Sequence, residues 1–256
     1  MRSKLQPRQL LVLMDFTSAF LTPKIGHQSN RTVVQDCIIV LEYISNGQRM
    51  RENLDFLCDC PDTNTNDYHF VLHVWLTLFL SKNLNDRFDC IDVWTDGGPH
   101  HFKTRYCQWM WWWLSNHRFD GHRISHHFFA SYHGHSLADA HAAAIKRAIR
   151  TEYNLSQLQR FSAVQLAIYW GPATAAELSH VLQKCSSTQI VVFPHIDRDP
   201  ALKPDPIGVV QIKRQHRFDY EKGLCYRAEL SEGKEKKRFS FQLRPGTAID
   251  ANTHKS

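Results

Sequence analysis

The sequence predicts an α/β fold in which helices cover the faces of a mixed β-sheet. The chain opens with three segments rich in apolar and β-branched residues, at about 9–16, 32–43 and 50–60. Between the second and third stands Asn46-Gly47, a strong signal for a two-residue hairpin. Beyond them, segments with helical spacing alternate with short apolar runs, which is the pattern of a sheet with helices packed on it.

The later segments continue this alternation. Tyr68, Trp75 and Phe79 belong to a series of apolar residues spaced three and four apart, which predicts an amphipathic helix to about Lys82. The other predicted elements are a strand at 89–95, a helix at 100–116, a strand at 122–130, an alanine-rich helix at 137–153, and two further helices at 155–170 and 173–183.

The pattern changes after Cys185. A proline-rich stretch, 198–206, is followed by alternating segments that predict a small β meander over about 209–243. Residues 185–256 contain 13 Lys/Arg and 9 Asp/Glu, which is +4 of the chain's formal net charge of +6. We therefore predict two domains, an α/β domain at 1–184 and a small basic β appendage at 185–256.

Composition limits the classes of protein to which this chain can belong. The hydrophobic fraction of 43% and the charged fraction of 22% are ordinary for a globular protein, and the mild positive charge favours a polyanionic partner. Seven scattered cysteines indicate reduced thiols in an intracellular protein. No run approaches the ~20 apolar residues of a membrane helix, and the apolar run that ends at Asp15 is too short for a secretory signal.

Three aspartates have the sequence context of a metal-dependent site. Asp15 interrupts the first apolar strand, Asp96 ends the apolar run 91–95 just before Gly97-Gly98, and Asp139 stands near the start of the alanine-rich helix. Acids at the carboxyl ends of strands face the edge where open α/β sheets place their sites. If the three carboxylates converge there, they offer the hard oxygen ligands that Mg²⁺ prefers.

Each aspartate also has a structural interpretation. Asp15 could face water at a sheet edge, although its apolar neighbours predict a strand buried on both faces, where an unpaired carboxylate is costly. Asp96 could be an ordinary turn or N-cap residue, and Asp139 could complete a capping box with Ser136. Glu152 competes with Asp139 as third acid, but helical phase favours Asp139, whose face also carries Lys146 and Arg150.

A zinc site is the less favoured metal hypothesis. Cys58 and Cys60 precede His69 and His73, which are four residues apart on a predicted helix. The spacing matches no common zinc finger, and the other cysteines are scattered as small apolar residues.

The three aspartate segments resemble the DDE/D transposases of eukaryotic DNA transposons, a family of the RNase H-like superfamily. The resemblance covers roughly residues 9–170. In two respects this sequence departs from the family, because His135 stands where relatives tend to have Lys and Ala140–Ala144 replaces a glycine-rich stretch. The segments that carry the resemblance are Met14-Asp15-Phe16, Thr95-Asp96-Gly97 followed by His101-Phe102-Lys103, and a third piece that runs from His133-Gly134 through Asp139 to Lys146-Arg147.

The resemblance implies an RNase H-like mixed five-stranded sheet and a specific chemistry. Asp15, Asp96 and Asp139 would hold Mg²⁺ or Mn²⁺ for cleavage of DNA and for strand transfer by a 3′-hydroxyl. The residues expected to contact nucleic acid are His101, Lys103, His133, Lys146 and Arg150. We expect a nuclear protein that binds DNA and forms a homo-oligomer, without a membrane partner or a small-molecule cofactor.

Two alternatives to a transposase remain open. The chain could be a catalytically inactive descendant that binds DNA or protein, which the departures at the third segment favour. It could also be an RNase H-like nuclease without strand transfer. Retention of all three acids favours an enzyme over the inactive descendant.

Overall fold

The structure is a computed structural model that describes the chain in separate stretches. For residues 20, 21, 33, 60, 149–152, 185, 206, 207, 213, 242 and 243, only the backbone is described. The described residues are 5–17, 20–21, 33–60, 68–98, 101–119, 122–129, 137–152, 174–185, 188–193, 196, 206–207, 212–222, 224–229 and 236–243.

A ten-stranded sheet forms the centre of the molecule. Its strands are β1 (Gln9–Phe16), β2 (Phe20–Leu21), β3 (Val33–Ser45), β4 (Gln48–Cys60), β5 (Cys90–Thr95), β6 (Arg123–Phe128), β7 (Gln189–Phe193), β9 (Arg217–Glu221), β10 (Leu224–Ala228) and β11 (Lys237–Phe239). Two further strands, β8 (Pro206–Ile207) and β12 (Gln242–Leu243), pair with each other. The order across the sheet is β11-β10-β9-β6-β5-β1-β3-β4-β7, and β2 pairs with β3.

The middle of this sheet has the predicted mixed arrangement. β1 is antiparallel to β3 and β3 is antiparallel to β4, whereas β5 is parallel to both β1 and β6. Three antiparallel opening strands followed by two parallel strands form the RNase H-like mixed five-stranded sheet, so the predicted fold class is confirmed.

The β3–β4 hairpin turns where the sequence predicts it. Asn46 and Gly47 adopt positive φ angles of 50° and 75°, as a two-residue turn of this kind requires. Ser45 and Gln48 pair directly on either side, and the ladder continues to Val33 and Cys60. Both strands are longer than their apolar residues alone indicate, because the tight turn lets pairing start at once.

In the described part of the chain, five helices cover the two faces of the sheet. β1 contributes side chains to both faces of the sheet, since Val12 and Met14 belong to one apolar cluster and Leu13 belongs to another. The first cluster includes residues of α1 and α3, and the second includes residues of α4 and α5. The helices are α1 (Tyr68–Lys82), α2 (Leu84–Arg87), α3 (Arg105–His117), α4 (Leu137–Glu152) and α5 (Ala175–Cys185).

Some predicted boundaries are corrected. α3 begins at Arg105 and not at residue 100, because Thr104 caps it by accepting a hydrogen bond from the Cys107 N–H at 3.2 Å. Within the predicted meander over 209–243, residues Ile212–Arg214 form a short 3₁₀ helix, and β9 begins at Arg217. The predicted helix at 155–170 and the proline-rich stretch at 198–206 lie outside the described residues, apart from the backbone of Pro206.

A buried polar network ties the sheet to α3. Thr95 Oγ1 lies 2.9 Å from His126 Nε2, and Gln108 Nε2 lies 3.2 Å from His126 Nδ1. Tyr220 OH donates to Gln108 Oε1 at 2.8 Å. Burial lowers the pKa of His126 well below its ordinary value, so the ring is neutral and each nitrogen has a polar partner.

The predicted C-terminal meander is confirmed, and it extends the central sheet. β9 pairs antiparallel with β6, and β10 and β11 follow as antiparallel neighbours. Phe218 and Tyr220 of β9 are fully buried in the main core. On the opposite edge β7 pairs parallel with β4. Strands from beyond residue 185 therefore lie at both edges of the sheet, and the division at residue 184 stays a prediction.

Tyr220→Phe should destabilise the protein by about 1–3 kcal/mol, because it removes a buried hydrogen bond and leaves Gln108 without this donor. The free energy of unfolding in urea measures the loss. Tyr226→Phe on β10, where the ring is only half-buried, is the matched control. Equal stability of Tyr220→Phe and wild type would contradict an integral role for β9.

Candidate metal-binding active site

The pairing of β1 with β5 brings two of the three aspartates together. The strands are parallel, and Met14 stands opposite Thr95. The next residues along each strand, Asp15 and Asp96, are therefore neighbours at the carboxyl ends of adjacent central strands. This is the edge where open α/β sheets place their sites.

The third aspartate comes from α4, which packs on the face that Asp15 shares. Side chains alternate along a strand, so Asp15 lies on the same face of β1 as Leu13. Leu13 packs in one apolar cluster with Ala138 and Ile145 of α4. Asp139 follows Ala138 in the first turn of this helix. Three separate elements thus direct acids toward one region.

Electrostatics shows that these acids act on one another. The pKa of Asp15 is raised from 3.8 to about 6, first by burial and then by the negative charges of Asp139 and Asp96. The Phe16 N–H donates to Asp15 Oδ1 at 2.8 Å and offsets part of this rise. Both other carboxylates therefore lie close enough to Asp15 to disfavour its ionisation.

The donor set suits a divalent cation. Three carboxylates supply hard oxygen ligands, and a bound cation would relieve the repulsion that raises the pKa of Asp15. Among the residues that the structure describes, no three His, Cys, Asp or Glu side chains already lie close enough to hold one ion. Binding would therefore draw the carboxylates closer together.

Two glycines shape the turn that carries Asp96. A Cβ atom at Gly98 would lie 2.7 Å from Asp96 Oδ2, so the carboxylate rests over this residue. A Cβ atom at Gly97 would lie 3.2 Å from the carbonyl oxygen of Phe129, at the end of β6. The Gly97-Gly98 pair thus leaves room for the acid and for the close approach of the neighbouring strand.

Lys103 lies near Asp96 and is only 6% exposed. Its Nζ is 4.8 Å from the ring centroid of Phe128. Burial lowers the pKa of Lys103, and the charge of Asp96 offsets part of that shift. The ammonium group therefore partly balances the charge of Asp96, and its role as a nucleic-acid contact stays a prediction.

The structure describes the other predicted nucleic-acid contacts only in part. His101 is half-buried with its ring 5.6 Å from that of Phe16, measured between centroids. Lys146 is half-buried on α4. Arg150 belongs to α4, but its side chain lies outside the described residues, as does all of His133. The roles of these residues in binding stay predictions.

Sequence reasoning missed a second set of buried polar residues on the α4 face. Asp36 on β3 and Asp55 on β4 are 1% and 0% exposed, and His141 of α4 contacts Asp55. The signal that identifies Asp15, an acid inside an apolar strand, was equally present at both positions. The zinc hypothesis gains no support within the described residues, where Cys58 is fully buried in the core and the side chain of Cys60 is outside them.

The family follows from a comparison with family models. The model described as "Domain of unknown function (DUF8701)" matches residues 1–168. The chain belongs to this family. The matched segment contains Asp15, Asp96 and Asp139, so the candidate site lies wholly inside the DUF8701 region. A search of the curated proteins finds no match.

One solved structure was found by structural comparison, "Crystal structure of LC9-RNase H1, a type 1 RNase H with the type 2 active-site motif". It is 13% identical, with 77% of this chain and 67% of that chain covered, at a TM-score of 0.24. A likeness this low supports no conclusion about activity. Within the described residues, no helix is long and apolar enough to cross a membrane.

Asp15 should destabilise the metal-free protein at neutral pH. Because its pKa rises from 3.8 to about 6 on folding, the stability contributed by its proton is complete below about pH 4 and is lost as the pH rises through 6. Asp15→Asn cannot ionise, so its stability relative to wild type should increase by about 2–3 kcal/mol between pH 4 and pH 8. Urea unfolding at both pH values measures this change.

Asp89 supplies a control of opposite sign. Its hydrogen bond with Arg8 lowers the pKa of this exposed carboxyl group, so Asp89→Asn should not gain stability at the higher pH. A stability difference between Asp15→Asn and wild type that does not change with pH would contradict the electrostatic description of the site.

Proposed function

We propose that the protein is a metal-dependent DNA phosphoryltransferase of the transposase type. Asp15, Asp96 and Asp139 would hold Mg²⁺ or Mn²⁺, and the reaction would cleave a DNA strand and join a 3′-hydroxyl to target DNA. The observation that carries the proposal is the β1–β5 register, which places Asp15 beside Asp96. The charges of Asp139 and Asp96 both contribute to the raised pKa of Asp15, which supports it. Three carboxylates in one region offer the hard oxygen ligands that a divalent ion prefers.

The three aspartates would have different roles in metal binding because they lie on different elements. Two divalent ions bound ~3.5–4 Å apart supply an activated water or hydroxyl and stabilise the leaving oxygen. Asp15 and Asp96 hold their carboxylates on adjacent strands, whose ladder hydrogen bonds limit movement. Asp139 approaches from the helix, and its attachment to a separate element lets it adjust as ions bind.

The RNase H-like fold and the three acids support a nuclease without strand transfer equally well, so the products must distinguish the two. An inactive descendant is the third candidate, favoured by the absence of a preformed three-ligand cluster in the described part of the chain. A nuclear location and a homo-oligomeric state belong to the transposase proposal and depend on it.

Asp96→Asn should reduce Mg²⁺- or Mn²⁺-dependent DNA nicking and joining to background, because it removes a metal ligand and not a core side chain. Asp92→Asn is the matched control, since Asp92 lies four residues earlier on β5 and contacts Gln9 and His127 away from the site. Circular dichroism checks that both variants are folded. Activity is measured on a labelled DNA duplex and on an RNA–DNA hybrid.

The products then separate the candidates. Joined DNA products support the transposase, and cleavage without joining supports the nuclease. Wild-type activity that survives in EDTA, or that equals the activity of Asp96→Asn, would rule out the metal mechanism. Lack of any activity, together with DNA binding, would point to the inactive descendant.

A basic edge at β11 is the proposed site of sequence-independent DNA contact. Lys237 and Arg238 are exposed on this edge strand, and Lys236 beside them pairs with Asp219 at 2.6 Å. The alternative is an ordinary solvated edge, since charged residues also protect edge strands from pairing with other chains.

Replacing Lys237 and Arg238 together with Ala should weaken binding of unrelated DNA duplexes and reduce the salt slope by about 1–2 units, because each phosphate contact contributes about 0.9. The same double replacement at Arg8 and Arg87, before β1 and β5, is the control for charge alone. Fluorescence anisotropy at several salt concentrations measures both. Equal salt slopes of DNA binding for the two double variants would show that the β11 edge is a structural feature and not a DNA contact.

A further inference from the structure

A buried polar pair joins α4 to the sheet on the side away from β5. His141 Nε2 lies 3.0 Å from both carboxylate oxygens of Asp55 on β4. The side chains are 9% and 0% exposed, respectively. Thr188 donates a hydrogen bond to Asp55 Oδ2 at 2.6 Å. Both carboxylate oxygens of Asp55 are therefore satisfied, and the group that satisfies both of them comes from α4.

The packing of α4 makes such a contact necessary. Its fully buried side chains in the described part of the helix are Ala138 and Ile145, and the residues around them are mostly alanine. Small side chains form shallow ridges, which oppose rotation and sliding of the helix only weakly. A buried hydrogen bond fixes the position of the helix more strictly than small apolar side chains do, because losing one partner leaves a buried polar group unsatisfied.

Helical phase relates this contact to the candidate site. At 100° per residue, Asp139 and His141 are about 160° apart around α4. The buried stripe of Ala138 and Ile145 lies within this arc, so His141 flanks it toward β4 and Asp139 flanks it on the opposite side, toward Asp15. Rotation of the helix that broke the Asp55 contact would also carry Asp139 away from Asp15.

A second buried acid explains why Asp55 is the partner. Asp36 on β3 shares this face and is 1% exposed. The Thr17 side chain lies close enough to lower the pKa of Asp36 slightly, but the two groups do not form a hydrogen bond of good geometry. Burial, followed by repulsion from Asp55, raises the pKa of Asp36 well above its ordinary value. Asp36 therefore stays neutral, and Asp55 is the acid that the helix engages.

We propose that Asp55 and His141 form a positioning pair that fixes α4 on the sheet so that Asp139 faces Asp15 and Asp96. Neither residue of the pair would touch a metal ion. The inference rests on the proposed function, because it assigns the pair a role at the metal site beyond holding a helix in place.

The test compares Mn²⁺ binding, measured by calorimetry, in wild type and three variants. His141→Ala removes the pair, His141→Gln keeps a side-chain N–H that can reach Asp55, and Glu42→Gln is the matched control. Glu42 is a buried acid on β3 that accepts hydrogen bonds from Arg49 and Arg51 at the far end of the β1 pairing from Asp15. Hydrogen exchange of the α4 amides in the metal-free proteins reports the attachment of the helix directly.

We expect His141→Ala to weaken Mn²⁺ binding at least about tenfold, the size typical for residues that orient metal ligands, and to speed exchange throughout α4. His141→Gln should restore most of the affinity, and Glu42→Gln should leave the affinity unchanged. If His141→Ala does not fold, Thr188→Val serves instead, because it removes one hydrogen bond to Asp55 without altering the helix. It should weaken Mn²⁺ binding several-fold.

The test distinguishes failure of the proposed function from failure of the positioning inference. If wild type binds no Mn²⁺, the proposed function is overturned, and the role of the pair falls with it. If wild type binds Mn²⁺ and the variant that folds binds it equally well, only the positioning inference is overturned. An equal loss in Glu42→Gln would also overturn it, because general destabilisation would then account for the effect.

Discussion

The parallel pairing of β1 with β5 is the contact on which the candidate site depends. Its register places Met14 opposite Thr95, and so it places Asp15 beside Asp96. A shift of this register by one residue would turn one of the acids to the other face of the sheet. The apolar residues on both faces of β1 oppose such a shift, because it would expose the core and bury the polar positions.

Bringing carboxylates together opposes folding, and the rest of the structure compensates. The pKa of Asp15 is raised to about 6, and the carboxylate oxygens of Asp36 are buried without a hydrogen bond of good geometry in the described residues. On the opposite face, the aromatic core of α1 and α3 and the network around His126 bind the same strands firmly. The molecule thus combines a face with a large aromatic core and a face that holds several buried acids, and a cost in stability of this kind is common at functional sites.

The C-terminal residues contribute to this support from both edges. β7 extends the sheet beside β4, where Thr188, just before the strand, contacts Asp55. β9 extends it beside β6, where Tyr220 completes the network of Gln108. The DUF8701 match ends at residue 168, before either strand. Strands beyond the matched region therefore help to hold the elements that carry the acids.

Much of the fold could be predicted from sequence because the signals were local. Asn46-Gly47 specifies its hairpin by backbone conformation alone, and the apolar periodicity of β1, α1 and β5 is set by which side chains must be buried. The predicted start of α3 at residue 100 was wrong. It follows Pro99, and proline is a residue type favoured at first helical positions, whereas the Thr104 cap depends on the geometry of the turn before the helix.

By itself, the sequence determined the order of strands and helices and the three acids at element ends, because hydrophobic periodicity and turn chemistry act over a few residues. Only the tertiary structure decided which acids act on one another, that Lys103 is buried near Asp96, and that His141 reaches Asp55. These interactions join residues far apart in the sequence, 86 positions in the case of His141 and Asp55. Their formation depends on strand register and on helix rotation, which are set by the packing of the whole sheet.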